Sequence, residues 1–255
     1  MDALVLAGGL ASAELAAHSG INDRALIELE GETMIARVFD ALLATRGIGK
    51  IAVVANPEAL EAIAREARFS NVLPVASGGR MVDNLSRGIA ALGSASAQVL
   101  VCTCDVPLVK ASSFEEFVEA AASRHLELAY PVVRRATCEA AFPGGKRTYG
   151  RLMDGDFTGG NAVIVPTRII SQVGVLVDAA YNARKNPLGL AKMLGPAFVV
   201  KFASKRLSIA DVEARASRVL GCRAGAVETK DAAIAFDVDK PEDLQVAARF
   251  LAPKN

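Results

Sequence analysis

Short apolar, β-branched runs alternate with longer amphipathic segments along the first half of the chain, and this alternation constrains the fold more than any other feature. A short continuous apolar run suits a strand buried on both faces, and the amphipathic segment after it suits the helix that covers the sheet. The pattern predicts strands at Asp2 to Ala7, Lys50 to Ala55, Asn71 to Ala76 and Gln98 to Thr103. Helices are predicted after Gly31, from Pro57, through Val82 to Leu92 and from Ser112 or Ser113. Pro57 suits a first helical turn, where its missing N–H has no partner to lose, and Ser113 with Glu116 resembles a capping box. Repeated strand–helix units of this kind imply an α/β fold with a mostly parallel central sheet.

Beyond Tyr130 the alternation loosens. Strands are expected at Glu127 to Val133 and Asn161 to Val165, with a Gly- and charge-rich stretch between them, which implies one reversed strand. From Val175 to about Leu220 the pattern is mainly helical, with Ser208 as N-cap of Ile209 to Val219. A last strand, Ala233 to Val238, leads through Pro241 into a closing helix. With no repeat or low-complexity linker, all 255 residues are expected to form one domain, with a helical elaboration at about 175–220.

The 52% hydrophobic fraction supplies ample core, and 22% charged residues with a net charge of +1 give no bulk attraction to nucleic acid or membrane. Met1 runs directly into the first strand, without a basic n-region or a long apolar segment, so no signal peptide or membrane span is expected and the location reads as cytoplasmic. Cys102, Cys104, Cys138 and Cys222 lack paired metal-site spacing and are expected to be buried free thiols.

Several motifs stand at predicted strand ends. Leu6-Ala7-Gly8-Gly9 follows the first strand, and its glycines let the backbone approach a ligand and offer N–H groups to phosphate oxygens. They form no G-x-G-x-x-G, and Gly144-Gly145-Lys146 is followed by Arg147 rather than Ser or Thr and so fails the P-loop pattern, which counts against both a standard dinucleotide-binding fold and a P-loop NTPase. Ala76-Ser77-Gly78-Gly79-Arg80 follows the third strand and leads to Asn84-Leu85-Ser86-Arg87-Gly88. Cys104-Asp105-Val106-Pro107 ends an apolar strand, where ligands of open α/β sheets gather; Asp105 also reads as a turn or N-cap aspartate. Thr158-Gly159-Gly160-Asn161 enters a strand, and Phe236-Asp237-Val238-Asp239-Lys240-Pro241-Glu242-Asp243 precedes the closing helix. Glu242 and Asp243 read as helix-cap residues. His18 and His125 lie outside all of these segments.

In their order along the chain these motifs, with Arg24-Ala25-Leu26, Gly31 and Met34-Ile35, resemble the MobA-like nucleotidyltransferases. Two features depart from the family form: the opening loop lacks its Gly/Ser-x-Arg continuation, and Arg24 stands in place of the usual lysine. The resemblance implies a Rossmann-like three-layer sandwich of the nucleotide-diphospho-sugar transferase, or glycosyltransferase A, type. It implies transfer of a nucleoside monophosphate from an NTP to a phosphorylated small-molecule acceptor, with release of pyrophosphate and with Mg²⁺ as cofactor. Leu6, Ala7, Gly8, Gly9, Ser77, Gly78, Gly79 and Arg80 would then bind the nucleotide, Gly159, Gly160 and Asn161 the acceptor, and Asp105, Asp237 and Asp239 the metal, with Arg24 and Asp105 catalytic. Arg184-Lys185-Asn186-Pro187 and Lys192 would face an anionic acceptor or solvate a helical cap. A molybdenum cofactor guanylyltransferase, a glycosyltransferase of the same fold and a non-catalytic nucleotide-binding protein remain alternatives.

Overall fold

The computed structural model of the protein describes residues 1–93, 96–170, 172–173 and 195–252. Of the segment expected to be helical at about 175–220, residues 175–194, including Arg184, Lys185, Asn186, Pro187 and Lys192, lie outside the described residues. Among the described residues one nine-stranded sheet organises the chain. Its first half holds β1 (Asp2–Ala7), β4 (Ile51–Ala55), β5 (Val72–Ala76) and β6 (Gln98–Thr103), in the spatial order β5–β4–β1–β6 and all parallel. Next to β6 lies β10 (Ala162–Pro166), which runs antiparallel to it and to β7 (Leu128–Arg134). The other edge of β7 pairs in parallel with β11 (Ala224–Glu228).

The buried run Ile51–Ala55 and the alternation in β1 show how two layers cover this sheet. Ala3, Val5 and Ala7 join a core with Ile35, Phe39, Leu42, Phe114 and Phe117, while Leu4 joins a second core with Leu85, Ile89 and Leu92. The first core is supplied by α2 (Met34–Ala44), α5 (Ala111–Ser123) and the closing α9 (Pro241–Leu251), the second by α4 (Met81–Leu92). Burying each such Leu, Val or Phe contributes about 1.5–3 kcal/mol, so the two faces together hold the parallel strands between two layers of helices.

Local signals set the helix ends. The Thr33 hydroxyl accepts from Ala36 N at the start of α2, Pro57 opens α3 (Pro57–Ala64), and Gly93 ends α4 in the left-handed region at φ 68°. Ser208 caps α8 (Ile209–Leu220) as expected, in a capping box with Asp211, and α7 (Pro196–Ala203) precedes it. Ser113 differs: α5 begins at Ala111, so Ser113 lies inside its first turn, where its hydroxyl accepts from Lys110 N at 2.9 Å and donates to Asp231.

Three further differences from the sequence expectation have physical causes. The segment expected as a strand at Ala233–Val238 is a short 3₁₀ turn, Ala232–Ala235, followed by irregular chain; its residues Ala232 to Phe236 are buried, and a short fully buried apolar run has no period that separates strand from turn. β8 (Gly150–Leu152), β9 (Gly155–Gly159) and β11 are short and rich in glycine or alanine, which weakens the strand signal. Instead of one reversed strand there are two, because β9 and β10 both pair antiparallel with β7, separated by Gly160 and Asn161. α1 (Ala13–Ser19) and α6 (Arg135–Ala141), with the hairpin β2 (Glu28–Leu29) and β3 (Glu32–Thr33), complete the α-helices and strands among the described residues, and short 3₁₀ turns lie at Arg24–Leu26, Ala67–Phe69 and Thr167–Ile169. The four cysteines are buried free thiols, as expected.

Gly88 of α4 lies directly over Leu4 of β1, so close that a Cβ at this position would sit 2.3 Å from a Leu4 methyl. Leu4 is fully buried and has no space to retreat. Gly88→Val is expected to destabilise the protein by about 1–3 kcal/mol, read as a lower urea midpoint at unchanged slope. An unchanged midpoint would show that the helix does not press on the central strand.

Candidate active site

The parallel strands β1, β4, β5 and β6 end at one edge of the sheet, and the chemistry-bearing residues collect there. Gly8 and Gly9 follow β1, Asn56 follows β4, Ser77 follows β5, and Asp105 follows β6. Cys104 N donates to Leu6 O at 3.3 Å, and Val238 N donates to Asp105 O at 2.9 Å, which holds the Asp237–Asp239 segment against the end of β6. β10 runs the other way, so its beginning lies at this same edge: Thr103 N donates to Asn161 O at 3.2 Å, and Asn161 N donates to Ile234 O at 2.8 Å.

Arg24 stands at the centre. Its Nη1 donates to Asp105 Oδ2 at 2.7 Å and lies 2.9 Å from Asp239 Oδ1, so two carboxylates share one guanidinium nitrogen. Its Nη2 reaches Leu10 O of the opening loop at 3.4 Å, and its Nε is buried without a hydrogen-bond partner among the described residues. Partial burial works against the Arg24 charge, but the Asp105 hydrogen bond and the Asp105 and Asp239 charges outweigh it and raise its pKa. Asp105 is buried, and its Oδ1 accepts from the Thr103 hydroxyl at 2.5 Å.

Asp237 shows the electrostatic strain of this cluster. Desolvation, with smaller contributions from the Asp105 and Asp239 charges, pushes its carboxyl up to about 6, against the pull of Arg147. Arg147 donates from Nη2 to the Asp237 carbonyl at 2.7 Å and from Nη1 to Asp243 Oδ1 at 3.3 Å, with its guanidinium 4.3 Å from the Phe236 ring centroid. Asp243 Oδ2 accepts from Asp239 N and Lys240 N, so it caps α9, the role its sequence position suggested.

Beside this cluster opens a cleft of about 410 Å³, bounded by Tyr130, Gly159, Gly160 and Asn161 on one side and by Asp237 and Asp239 on the other. Lys146, Arg147 and Lys240 place cations along it. Here the two glycines are required by close approach: a Cβ on Gly159 would lie 2.2 Å from the Tyr130 hydroxyl, and one on Gly160 would lie 2.8 Å from the Pro131 ring.

A family model for the MobA-like NTP transferase domain matches residues 3–191. The chain belongs to the MobA-like NTP transferase family. No curated protein matches the sequence. Among solved structures, a hypothetical transferase from Thermus thermophilus is 34% identical, with a TM-score of 0.77 over 95% of this chain and 98% of that one. At 13% identity the fold is shared with CMP:2-keto-3-deoxy-manno-octonic acid synthetase complexed with CTP (TM-score 0.57, 98% of each chain). It is also shared at 13% identity with 4-diphosphocytidyl-2C-methyl-D-erythritol synthase from Anaerococcus prevotii (TM-score 0.60, 98% of this chain and 95% of that one). These relatives carry the mostly parallel α/β architecture expected from the sequence.

In this MobA-like NTP transferase, the motif residues differ in how much of their bonding capacity the fold itself uses. Leu6 and Ala7 are the last residues of β1, and a Cβ on Gly8 would meet the Ser77 Cβ at 2.8 Å, whereas Gly9 and Gly79 face open space. The amides of Ser77 and Gly78 are taken by Ala55 O at 2.8 Å and Asn84 Oδ1 at 2.6 Å, and Arg80 is bonded to Asp83 at 2.9 Å. Sequence reasoning passed over the residues that tie these loops together. Ser77 Oγ donates to Asn56 Oδ1 at 2.7 Å, Asn56 Nδ2 donates to Asp23 Oδ2 at 3.0 Å, and Asp23 Oδ1 accepts from Ala25 N beside Arg24. Ser12, in the stretch that replaces the family's loop continuation, caps α1 and donates to Asp239 O at 3.0 Å. The position of Asn56 at a strand end, directly before Pro57, was the one available signal among these.

The raised Asp237 carboxyl has a consequence for stability. Folded protein holds that proton more tightly than the unfolded chain does, so the associated stability is complete below about pH 4 and is lost as pH rises through about 6. In metal-free protein, Asp237→Asn is expected to raise stability at pH 8 by on the order of 1–3 kcal/mol and to have progressively less effect towards pH 4. Thermal melts of both proteins across that range check it; a pH-independent difference would mean that Asp237 is not held in this unfavourable environment.

Proposed function

We propose that this MobA-like NTP transferase moves a nucleoside monophosphate from an NTP to a small phosphorylated acceptor and releases pyrophosphate. The observation that carries the reading is the pairing of one Arg24 nitrogen with both Asp105, just past the end of β6, and Asp239, in the segment before α9, beside the Gly8-Gly9 loop and the cation-lined cleft. No protein nucleophile is needed. An acceptor phosphate oxygen attacks the α-phosphorus in line, the new P–O bond forms, and the bond to the β-phosphate bridging oxygen breaks to leave pyrophosphate. Arg24 and the Gly8-Gly9 backbone hold the departing pyrophosphate, while Lys146 and Lys240 attract the acceptor phosphate into the cleft, which makes this catalysis by positioning and electrostatics.

Mg²⁺ fits the chemistry of this edge. Among the described residues no three acidic, cysteine or histidine side chains are arranged to hold a metal by themselves. Mg²⁺ characteristically takes one or two carboxylates, waters and substrate phosphates instead, and at this edge the Asp105 and Asp239 carboxylates lie 2.7 and 2.9 Å from one Arg24 nitrogen, close enough to face a common cation. Asp105 and Asp237, with Asp239 beside them, would hold it, and its contribution there is to neutralise charge on the reacting phosphates. We place the enzyme in the cytoplasm, where its buried free cysteines stay reduced; none of its described helices is long and apolar enough to cross a membrane.

Pyrophosphate release from four nucleoside triphosphates against sugar phosphates, polyol phosphates and molybdopterin tests the reading. Once a substrate pair is found, Asp105→Asn is expected to lower turnover by orders of magnitude while the fold survives. Equal rates in the two proteins would return Asp105 to a turn-forming role. Nucleotide binding without pyrophosphate across the whole panel would favour a nucleotide sensor, and consumption of a nucleotide sugar without pyrophosphate would favour a glycosyltransferase.

A further inference from the structure

Arg24 has a bonding pattern that fits two partners better than one. Its two strong contacts, at 2.7 and 2.9 Å, both involve Nη1, while Nη2 makes a long bond to Leu10 O and Nε has no partner among the described residues. A guanidinium bonds most strongly when its forked N–H groups meet a single carboxylate or phosphate in parallel, and here that capacity is unspent. The backbone beneath it is fixed, because Asp23 binds both Ala25 N and Asn56, so any movement belongs to the side chain alone. Leu10, the acceptor of the long bond, belongs to the loop that follows Gly8-Gly9.

The charges around it are unequal. Asp105 and Asp239 share Arg24, whereas the other cation in the cluster, Arg147, is committed to Asp243 and to Asp237, whose carbonyl it bonds and whose carboxylate lies 3.7 Å away. Without Arg24 the carboxylates of Asp105 and Asp239 lose the cation they share. Arg24 thus bonds Asp105 Oδ2 and pairs with Asp239, two of the carboxylates that would hold a divalent cation at this edge.

Resting on the nucleotidyltransferase reading, we propose that Arg24 is an exchangeable counter-ion. It holds Asp105 and Asp239 in the free protein, moves onto the triphosphate when nucleotide arrives, and thereby releases the carboxylates to metal. Nucleotide and metal then bind with positive coupling, and neither the carboxylates nor the phosphates are left without a cation at any stage. The reciprocity of linked equilibria makes this quantitative: whatever factor Arg24 subtracts from metal affinity in the free protein reappears as metal–nucleotide coupling.

The probe is Mn²⁺, followed by the loss of its free-ion electron paramagnetic resonance signal, with CTP and the three other nucleoside triphosphates as ligands. Arg24→Gln is expected to bind Mn²⁺ about 5- to 150-fold more tightly than wild type without nucleotide, and to lose a similar factor from the coupling between metal and nucleotide. Arg24→Lys, which keeps the charge but offers no fork, is expected to fall between the two and serves if the glutamine variant does not fold. Adding Asp105→Asn to Arg24→Gln is expected to abolish the gain. Nucleotide binding with Mn²⁺ affinity unchanged in both variants would overturn the exchange alone. If no nucleotide binds to the wild type, the exchange and the nucleotidyltransferase reading fall together.

Discussion

The parallel ladder β4–β1–β6 is the constraint from which the rest of the molecule follows. β1 pairs along its length with β4 on one side and β6 on the other, and its residues Ala3, Leu4 and Val5 are fully buried. A strand buried on both faces must be covered by helices on both, and parallel neighbours require that each connection cross the sheet and return. Every strand of the ladder thus ends at the same edge, and the loops that leave those ends become neighbours whatever their separation in sequence. The reversal of β10 adds a different kind of neighbour, since an antiparallel strand begins where the parallel ones end. That is how Gly159, Gly160 and Asn161 come to line one cleft with Asp237 and Asp239, beside the exits of the parallel strands.

Three carboxylates at this edge set an electrostatic problem that the fold answers only in part. Burying an acid group in partial isolation is costly, and proteins respond by pairing it, hydrogen-bonding it or shifting its pKa. All three responses coexist here: Arg24 pairs Asp105 and Asp239, the Thr103 hydroxyl bonds Asp105, and Asp237 is shifted upward. Arginine in place of lysine matters to this balance, because its planar fork can serve two acids or one phosphate, whereas an ammonium is a compact point charge. Arg147 has a different task. It stacks on Phe236 and bonds the backbone of Asp237, which fixes the segment, and its guanidinium lies 3.7 Å from the Asp237 carboxylate, whose charge it balances in part.

Much of this was legible in the chain before any coordinates. The strand–helix alternation up to Thr103 is a local property of apolar spacing, so the four parallel strands, the helices after them and the strand-end positions of Gly8, Gly79 and Asp105 follow from the sequence by itself. The capping residue Ser208 acts within one helical turn, and Asp243 at the start of α9 is a capping residue for the same reason. The family relationship was readable too, because its motifs keep their order along the chain.

Only the tertiary structure decided which long-range partners those residues would take. Arg24 and Asp105 are 81 positions apart, and Arg147 and Asp243 are 96 apart, distances at which no periodicity or propensity operates. The buried run at Ala232–Phe236 became a turn because what surrounds it, rather than its own pattern, satisfies its backbone. The amides of Ser77 and Gly78 read as free donors in the sequence, and the fold spends them on Ala55 and Asn84. Local chemistry named the groups available at the sheet edge; the competition among charges and hydrogen-bond acceptors in three dimensions determined which of them the protein uses for itself and which it leaves for a ligand.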